Sequence, residues 1–396
     1  MHICHVTPHL PPDQAANALL PAHLGRWAAD AGHGVSYVAH PPRAGAPEPV
    51  AGRVTWIEPA ARGWLHALGV GSIASAARIA RRAGPSLAEA DLVHVHSNGL
   101  LADVCAALAR RRNRPVVLTL YGTEIWHYQP KPWPRDLFTK MYRRAAHVTF
   151  YSRGLLDKAI ELGLSREHAD VVYPPVVDRF QPVSDAERAA LRARLGLRAR
   201  HVLLNVKRLH PLAGQQHLID AMPRILARHP DTELVICGMG PLLPELQARA
   251  AAAGVADRVR FAGLVDNSVV ADYNRAADAF ILPSLLEALP TVAVEALACG
   301  TPVISADHPG GVELHALFDA DVAVVPKERA DALADAIGGF LDRPRRTLDR
   351  TADVLSREFR PRAVWQRFHA IYERHADART RTTDAPVNER RIGARP

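Results

Sequence analysis

Short apolar runs recur along this chain, each followed by a stretch with helical spacing, and the series is played twice. That alternation is the signature of βαβ units, which assemble into parallel sheets. In the first series the pattern predicts strands at His2–Thr7, Gly34–Ala39, Asp91–His96, Pro115–Leu120, Val148–Tyr151 and Val171–Tyr173. Helices are predicted at Leu19–Ala31 and Leu100–Arg111. Tyr173-Pro174-Pro175 breaks the pattern, and Asp178–Arg200 reads as a linker and a helix. The second series starts afresh at His201, with strands at Val202–Val206, Glu233–Cys237, Val259–Ala262, Ala279–Leu282 and Val303–Ser305. Helices such as Gln216–Ala227 and Leu242–Ala253 lie between them.

At 396 residues the chain is long for one core and suits two domains. The expected class is α/β, with two doubly wound, Rossmann-like domains over 1–177 and 178–359 facing a central crevice. Open parallel sheets bind ligands at the carboxyl ends of their strands. The last amphipathic stretch, 360–374, puts Val364, Trp365, Phe368 and Ile371 on one side. Such a helix either packs on its own domain or crosses back to complete the first.

Composition narrows the function classes. Apolar residues make up 48% and charged residues 23%, which fits a folded chain rather than a disordered one. No run approaches the roughly 20 apolar residues of a membrane span. The start, Met1-His2-Ile3-Cys4-His5-Val6, reads as a strand rather than a signal peptide. Cys4, Cys105, Cys237 and Cys299 are scattered without metal or redox spacing, as expected for buried thiols in the cytoplasm. The net charge of +8 is modest, and no nucleic-acid motif accompanies it. Part of it sits in 376–396, where five arginines face three acids and a disordered tail is expected.

The second half carries the most specific pattern. Pro283-Ser284-Leu285-Leu286-Glu287-Ala288-Leu289-Pro290-Thr291-Val292-Ala293-Val294-Glu295 leads into Ala298-Cys299-Gly300-Thr301-Pro302. Around it, in order, stand Val206-Lys207-Arg208-Leu209, Cys237-Gly238-Met239-Gly240-Pro241, Gly263-Leu264-Val265, Tyr273–Asp278 and Gly310-Gly311-Val312-Glu313. This ordered set resembles the retaining glycosyltransferases of the GT-B fold, family 4, in which two glutamates are separated by seven residues. Proline is tolerated in the first turn of a helix, so Glu287 is expected in a loop and Glu295 on the helix that follows.

The resemblance implies roles for these residues. Glu287 would hold the transferred sugar and Glu295 the ribose of a nucleotide. Arg208, with Lys207 beside it, would grip the diphosphate, whose charge grows as the sugar–oxygen bond breaks. The helix start around Leu289, Pro290 and Thr291 would turn its free amides toward the same anion, Pro290 itself having none to offer. Gly238 and Gly240 would let backbone approach the nucleotide, and Val265 would lie by the base. A lone GxG without a third glycine is weak support for a dinucleotide. The chain departs from the family at Ala213, where a lysine usually precedes the glycine. Asp319-Ala320-Asp321 spells a metal-binding DxD, but its position beyond the two-glutamate helix makes chance the better explanation.

The first half is less faithful. The loop Pro11–Asn17 has alanines where the family has a glycine pair, and Asp13, Gln14 and Asn17 there are candidate acceptor contacts. Tyr121 stands where histidine is usual, with Thr123 and Glu124 after it. Tyr121 is a candidate at the reaction centre, and Thr123 and Glu124 are further acceptor contacts. His94 and His96 share a strand face, with no third metal ligand visible. The Trp64–Leu68 segment and the basic helix Ile73–Arg82, with Arg78, Arg81 and Arg82, could sit on a membrane surface, although its apolar face is weak.

The expected function is therefore transfer of a sugar from a nucleotide diphosphate, UDP by family habit, to a hydroxyl of a small polar acceptor, with retention. No metal or cofactor is expected. An aminocyclitol would suit Asp13 and Glu124, and the Ala- and Arg-rich composition is associated with natural-product enzymes of high-GC bacteria. The alternatives are a membrane-lipid acceptor, an NAD-dependent oxidoreductase and a non-catalytic sugar-binding protein.

Overall fold

The computed structural model describes residues 1–13, 15–43, 45–59, 70–129 and 136–383. The chain divides into two compact units. The first holds Met1–Phe150, Lys158–Val171 and the chain from Trp365 onward; the second holds Tyr151–Asp157 and Val172–Val364.

The first unit is built on a parallel sheet of β1 (His2–Thr7), β2 (Gly34–Ala39), β3 (Arg53–Trp56), β4 (Leu92–Val95), β5 (Val116–Leu120), β6 (His147–Phe150) and β7 (Ala169–Val171). Its strand order is β3-β2-β1-β4-β5-β6-β7. The central strands β4, β5 and β6 are buried along their whole length, which fits a sheet covered on both faces. β3 was not anticipated. It is a half-exposed edge strand of four residues, too short and too polar at Arg53 and Thr55 to give a periodic signal.

The second unit repeats the plan with β8 (His201–Val206), β9 (Thr232–Cys237), β10 (Val259–Gly263), β11 (Ala279–Leu282), β12 (Val303–Ala306) and β13 (Val322–Val325) in the order β10-β9-β8-β11-β12-β13. β13, an edge strand behind Asp319–Asp321, was also not anticipated. Leu203, Leu234, Ile236 and Ile281 from the strands pack with Leu218, Met222 and Ile337 from the helices into one core. Helix Asp185–Leu195 opens with a reciprocal cap between Ser184 and Glu187 and closes on Gly196 at φ +65°. Asp278, at the start of β11, anchors that helix: Arg188 and Arg192 each reach its carboxylate at 2.6 Å, and the Val202 amide donates to it at 2.7 Å.

Two helix boundaries differ from expectation. The first helix begins at Ala16 rather than Leu19, because Ala16 and Ala18 are strong helix formers that carry the turn through Asn17. The last helix, Pro361–Thr383, runs well past 374, so 376–383 is helical where a disordered tail was expected; 384–396 lie outside the described residues. Beyond Trp365 this helix packs within the first unit, where Phe368 and Tyr372 are buried and Tyr372 bonds to His94.

Candidate active site

In the second unit the chain leaves β8 outward through β9 and β10, then returns to β8's other side with β11, β12 and β13. Connections on either side of such a reversal diverge and leave a crevice at the strand ends. The loop after β8 begins Lys207-Arg208, and the loop after β11 carries Glu287. Lys207 Nζ and Glu287 Oε1 meet there at 2.5 Å, with both side chains partly buried.

Glycines let these loops lie together. Gly214 has φ +69°, and a Cβ there would fall 2.0 Å from the Pro283 carbonyl oxygen. Gly238 has φ +145°, with a Cβ position 2.1 Å from the Lys207 carbonyl oxygen. Only glycine fits such backbone contacts without displacing a strand end. Gly240 is likewise packed on Leu209. Ala213 is buried in a tight turn, so the side chain standing in for the family lysine contributes no charge.

Arg208 is exposed, and its guanidinium has no partner among the described residues. Helix Thr291–Ala298 follows, with Pro290 buried at its cap position rather than inside the first turn, and with Leu289 buried before it. The first amides of a helix have no intrahelical acceptor and carry the positive end of its dipole. Glu295 lies on this helix without a bonded cation among the described residues. Burial pushes its carboxyl up to about 7, opposed by the Arg179 charge. At the neighbouring strand ends Met239 and Leu264 expose large apolar side chains, and Val265 is half-buried.

His308 was not anticipated here. It caps helix Pro309–Phe318: its Nδ1 accepts from the Gly311 amide at 3.0 Å, and Nε2 faces Ser305 Oγ at 3.3 Å. Burial and the Lys207 charge hold it down to about 4. The Asp307-His308-Pro309 run directly after a strand, with proline at the first helical position, is the signal that could have found it. Gly310 donates to the Glu287 carbonyl at 3.0 Å, tying this helix to the Glu287 loop. Glu313 accepts from the amides of Arg153 and Gly154 at 2.6 and 3.0 Å and from Tyr173 Oη at 2.9 Å.

The DxD run is structural. Asp321 is buried and held by Arg345, the Leu348 amide and Thr351 Oγ1.

In the first unit the strand order reverses between β1 and β4. Asp13, after β1, bonds to His9 Nδ1 at 3.0 Å, so its carboxylate is already engaged. Asn17 lies inside the first helix, not in the loop, and its carbonyl accepts from Thr7. Gln14 lies outside the described residues. Thr123 opens the short helix Thr123–Trp126, where Glu124 is buried and accepts from the amides of Gly122 and Tyr121 at 3.0 and 3.3 Å.

Asp103, Glu124 and Asp136 border a cavity of about 460 Å³. Burial pushes Asp103 up to about 6, with Arg110 opposing. A second cavity, about 270 Å³, lies at the ends of β1 and β4 among Ser75, Arg78 and Ser97. Arg78 spends one nitrogen on the Glu58 carbonyl, while its buried Nε has no partner among the described residues.

The pair His94 and His96 does have a third histidine. His5 stands opposite His94 on the neighbouring β1, and the three rings bring ligand atoms within 4.8 Å of one another. Sequence spacing could not show this, because the register of two strands far apart in the chain decides it. The helix Val70–Glu89 buries Ser75, Ile79, Ala83 and Leu87 and leaves Arg81 and Arg82 exposed. The stripe of Ser75, Ile79, Ala83 and Leu87 faces the core, while Ile73 is exposed; Trp64–Leu68 lie outside the described residues. Among the described residues no helix is long and apolar enough to cross a membrane.

Two Rossmann-like parallel sheets, each with helices interleaved and strand ends gathered at an order reversal, define the GT-B class. Solved structures agree in fold: sucrose-phosphate synthase from Thermosynechococcus elongatus matches with a TM-score of 0.72 at 21% identity, over 96% of this chain and 100% of that one. HepE from Anabaena, solved with UDP and glucose, matches with a TM-score of 0.70 at 20% identity, over 94% and 100%. The chain belongs to glycosyltransferase family 4: "Glycosyltransferase Family 4" matches residues 22–180 and "Glycosyl transferases group 1" matches residues 187–353. A GDP-mannose-dependent alpha-(1-6)-phosphatidylinositol monomannoside mannosyltransferase from Mycolicibacterium smegmatis is 36% identical over 60% of this chain and 64% of its own length. A D-inositol 3-phosphate glycosyltransferase from Jonesia denitrificans is 38% identical over 39% of this chain and 38% of its own. The matched stretches thus span less than two thirds of these relatives.

Proposed function

We propose that this chain is a glycosyltransferase that moves a sugar from a nucleoside diphosphate to a hydroxyl of a small polar acceptor, with retained anomeric configuration and without a metal. The observation that carries this is the Lys207–Glu287 pair at the order reversal of the second sheet, with the unpaired Arg208 guanidinium next in sequence. A planar cation and helix amides suit a diphosphate leaving group, whose charge grows in the transition state. Glu287 and Glu295 supply carboxylate acceptors for sugar and ribose hydroxyls.

UDP is the donor base expected from the family, and GDP-mannose is the donor named for the Mycolicibacterium relative. Heating the protein with UDP and with GDP separates them, because a ligand bound to the folded state raises apparent stability by mass action. A stabilising nucleotide followed by turnover of its sugar supports the proposal. Stabilisation by neither, with no turnover of UDP- or GDP-sugars, sinks it.

For the acceptor, the Asp103 and Glu124 carboxylates at the cavity of about 460 Å³ in the first unit support a polyhydroxylated amine such as an aminocyclitol. Asp103 joins Glu124 in that role, while Asp13 is bonded to His9 and Asp136 caps its helix and accepts from Tyr128 and Thr139. A second reading, an acceptor bearing a phosphate, rests on the smaller cavity, where Arg78 has an unused Nε, and on the inositol phosphate named for the Jonesia relative. Competing aminocyclitols against inositol phosphate in the assay decides between them.

A further inference from the structure

The loop that carries Glu287 rests on the first turn of helix Pro309–Phe318. The Gly310 amide donates to the Glu287 carbonyl at 3.0 Å. A Cβ at Gly310 would fall 2.8 Å from Pro290 Cδ, 2.9 Å from the Ala288 carbonyl oxygen and 3.1 Å from that of Glu287. The backbone at Gly310 is helical, so alanine would suit it but for these contacts. The missing side chain is what lets residues 287–290 lie directly on the helix.

His308 fixes that first turn. It is fully buried, with no surface to offer a ligand. An amide can only donate, so the Gly311 amide, 3.0 Å away, makes His308 Nδ1 an acceptor. The ring is neutral near pH 7, because burial and the Lys207 charge hold it down to about 4. Its one proton is then on Nε2, which donates to Ser305 Oγ at 3.3 Å. Ser305 in turn donates its hydroxyl proton to the Ala306 carbonyl at 3.0 Å. The run ends on a backbone group at each side, and neither can reverse its role. Further along the helix, Glu313 accepts from the amides of Arg153 and Gly154 at 2.6 and 3.0 Å and from Tyr173 Oη at 2.9 Å. The helix is thus pinned on both sides of Gly310.

We propose that His308 is a positioning residue for Glu287: it locks the first turn of helix Pro309–Phe318, and through the Gly310 amide that turn sets how far the Glu287 carboxylate reaches toward the transferred sugar. The part Glu287 plays in holding the sugar is the one proposed above, and this role of His308 depends on it. Lys207 meets the carboxylate at 2.5 Å, while Gly310 holds the backbone of the same residue. A carboxylate fixed at both ends offers its lone pairs in one place. Misplacing such a group by about 1 Å can cost roughly 100-fold in rate.

Three variants of the full chain test this: Gly310→Ala, His308→Ala and His308→Asn. Gly310→Ala must push the loop off the helix without touching His308. It should lower kcat by about 10- to 100-fold. The Kd of the sugar-free nucleotide, UDP or GDP, should stay within about twofold, because that ligand lacks the sugar that Glu287 holds. His308→Ala should show the same split. His308→Asn, whose side-chain oxygen can accept from the Gly311 amide, should restore kcat to within about threefold of the parent. A Gly310→Ala variant with the parent's kcat overturns the proposal. So does a parallel loss of UDP or GDP affinity, or a His308→Asn variant no better than His308→Ala. Should the parent turn over no UDP- or GDP-sugar, the proposed function fails, and amide hydrogen exchange decides the positioning role instead. The Gly310 amide should then exchange about tenfold faster or more in His308→Ala than in the parent and in His308→Asn. Equal protection in all three overturns the role of His308.

Discussion

Lys207 Nζ and Glu287 Oε1 meet at 2.5 Å where the strand order of the second sheet reverses. The contact joins the loop after β8 to the loop after β11, and it neutralises one of the two adjacent cations while Arg208 has no partner among the described residues.

Arg208→Ala is therefore expected to depress kcat about 100-fold or more, the usual loss when one preorganised charge stabiliser is removed. Nucleotide affinity should change less, because the partner gains charge in the transition state. Lys207→Met should act mainly on donor KM, by leaving Glu287 without its cation. Steady-state kinetics with the preferred donor checks both; an Arg208→Ala variant as active as the parent would remove it from the leaving-group role.

Glu295 predicts a proton release. Burial holds its carboxyl at about 7, whereas ribose hydroxyls donate to the ionised form and pull the value down. Nucleotide binding at pH 6.5 should therefore expel protons, and affinity should rise as pH climbs from 6 to 8. Calorimetry in two buffers of different ionisation enthalpy measures this. Glu295→Gln should abolish the release and weaken binding by about 1.5–3 kcal/mol. Release that persists in the variant assigns the ribose to another group.

Asp278 predicts a large stability effect. Its carboxylate, 10% exposed, holds Arg188 and Arg192 at 2.6 Å each. Asp278→Ala strands two shielded guanidiniums and should cost about 3–5 kcal/mol in urea unfolding of the full chain. Arg224→Ala, which breaks the exposed pair with Asp335, is the control and should cost about 1 kcal/mol or less. Equal costs would mean that the Asp278 cluster does not anchor the linker helix.

Buried histidines predict acid sensitivity. His5 and His308 are held to about 3 and about 4 by burial, against 6.5 for the free side chain. A depressed folded value means the unfolded chain binds protons first, so their stabilising share is complete above pH 6.5 and is lost as pH falls through 4. Thermal midpoints between pH 7 and 4 should drop steeply. His308→Asn keeps a good helix cap but cannot titrate, and should flatten that slope. An unchanged slope would place the acid sensitivity elsewhere.

Chelation bears on the diphosphate site. With Arg208 and the helix amides before Glu295 as the charge partners, turnover should survive EDTA. Loss of activity that manganese or magnesium restores would require a divalent cation in the reaction.

What the sequence by itself determined was the architecture, and it named the candidates proposed for the donor half of the site. Buried parallel strands such as Leu92–Val95 and Ala279–Leu282 are short uninterrupted apolar runs, visible because burial on both faces leaves no polar position. Glu287, Glu295, Lys207 and Arg208 stood out as candidates because they fall in the ordered motif set that resembles the family. The edge strands β3 and β13 were not legible, since half-exposed strands of four residues have no distinctive period. Tertiary structure alone decided three things. It spent Asp13 on His9. It brought Lys207 onto Glu287 across 80 residues of chain. It set His5 beside His94 and His96 through the register of β1 against β4. The reason is common to all three: strand pairing and loop closure join residues distant in sequence, and no local periodicity records which of them will meet.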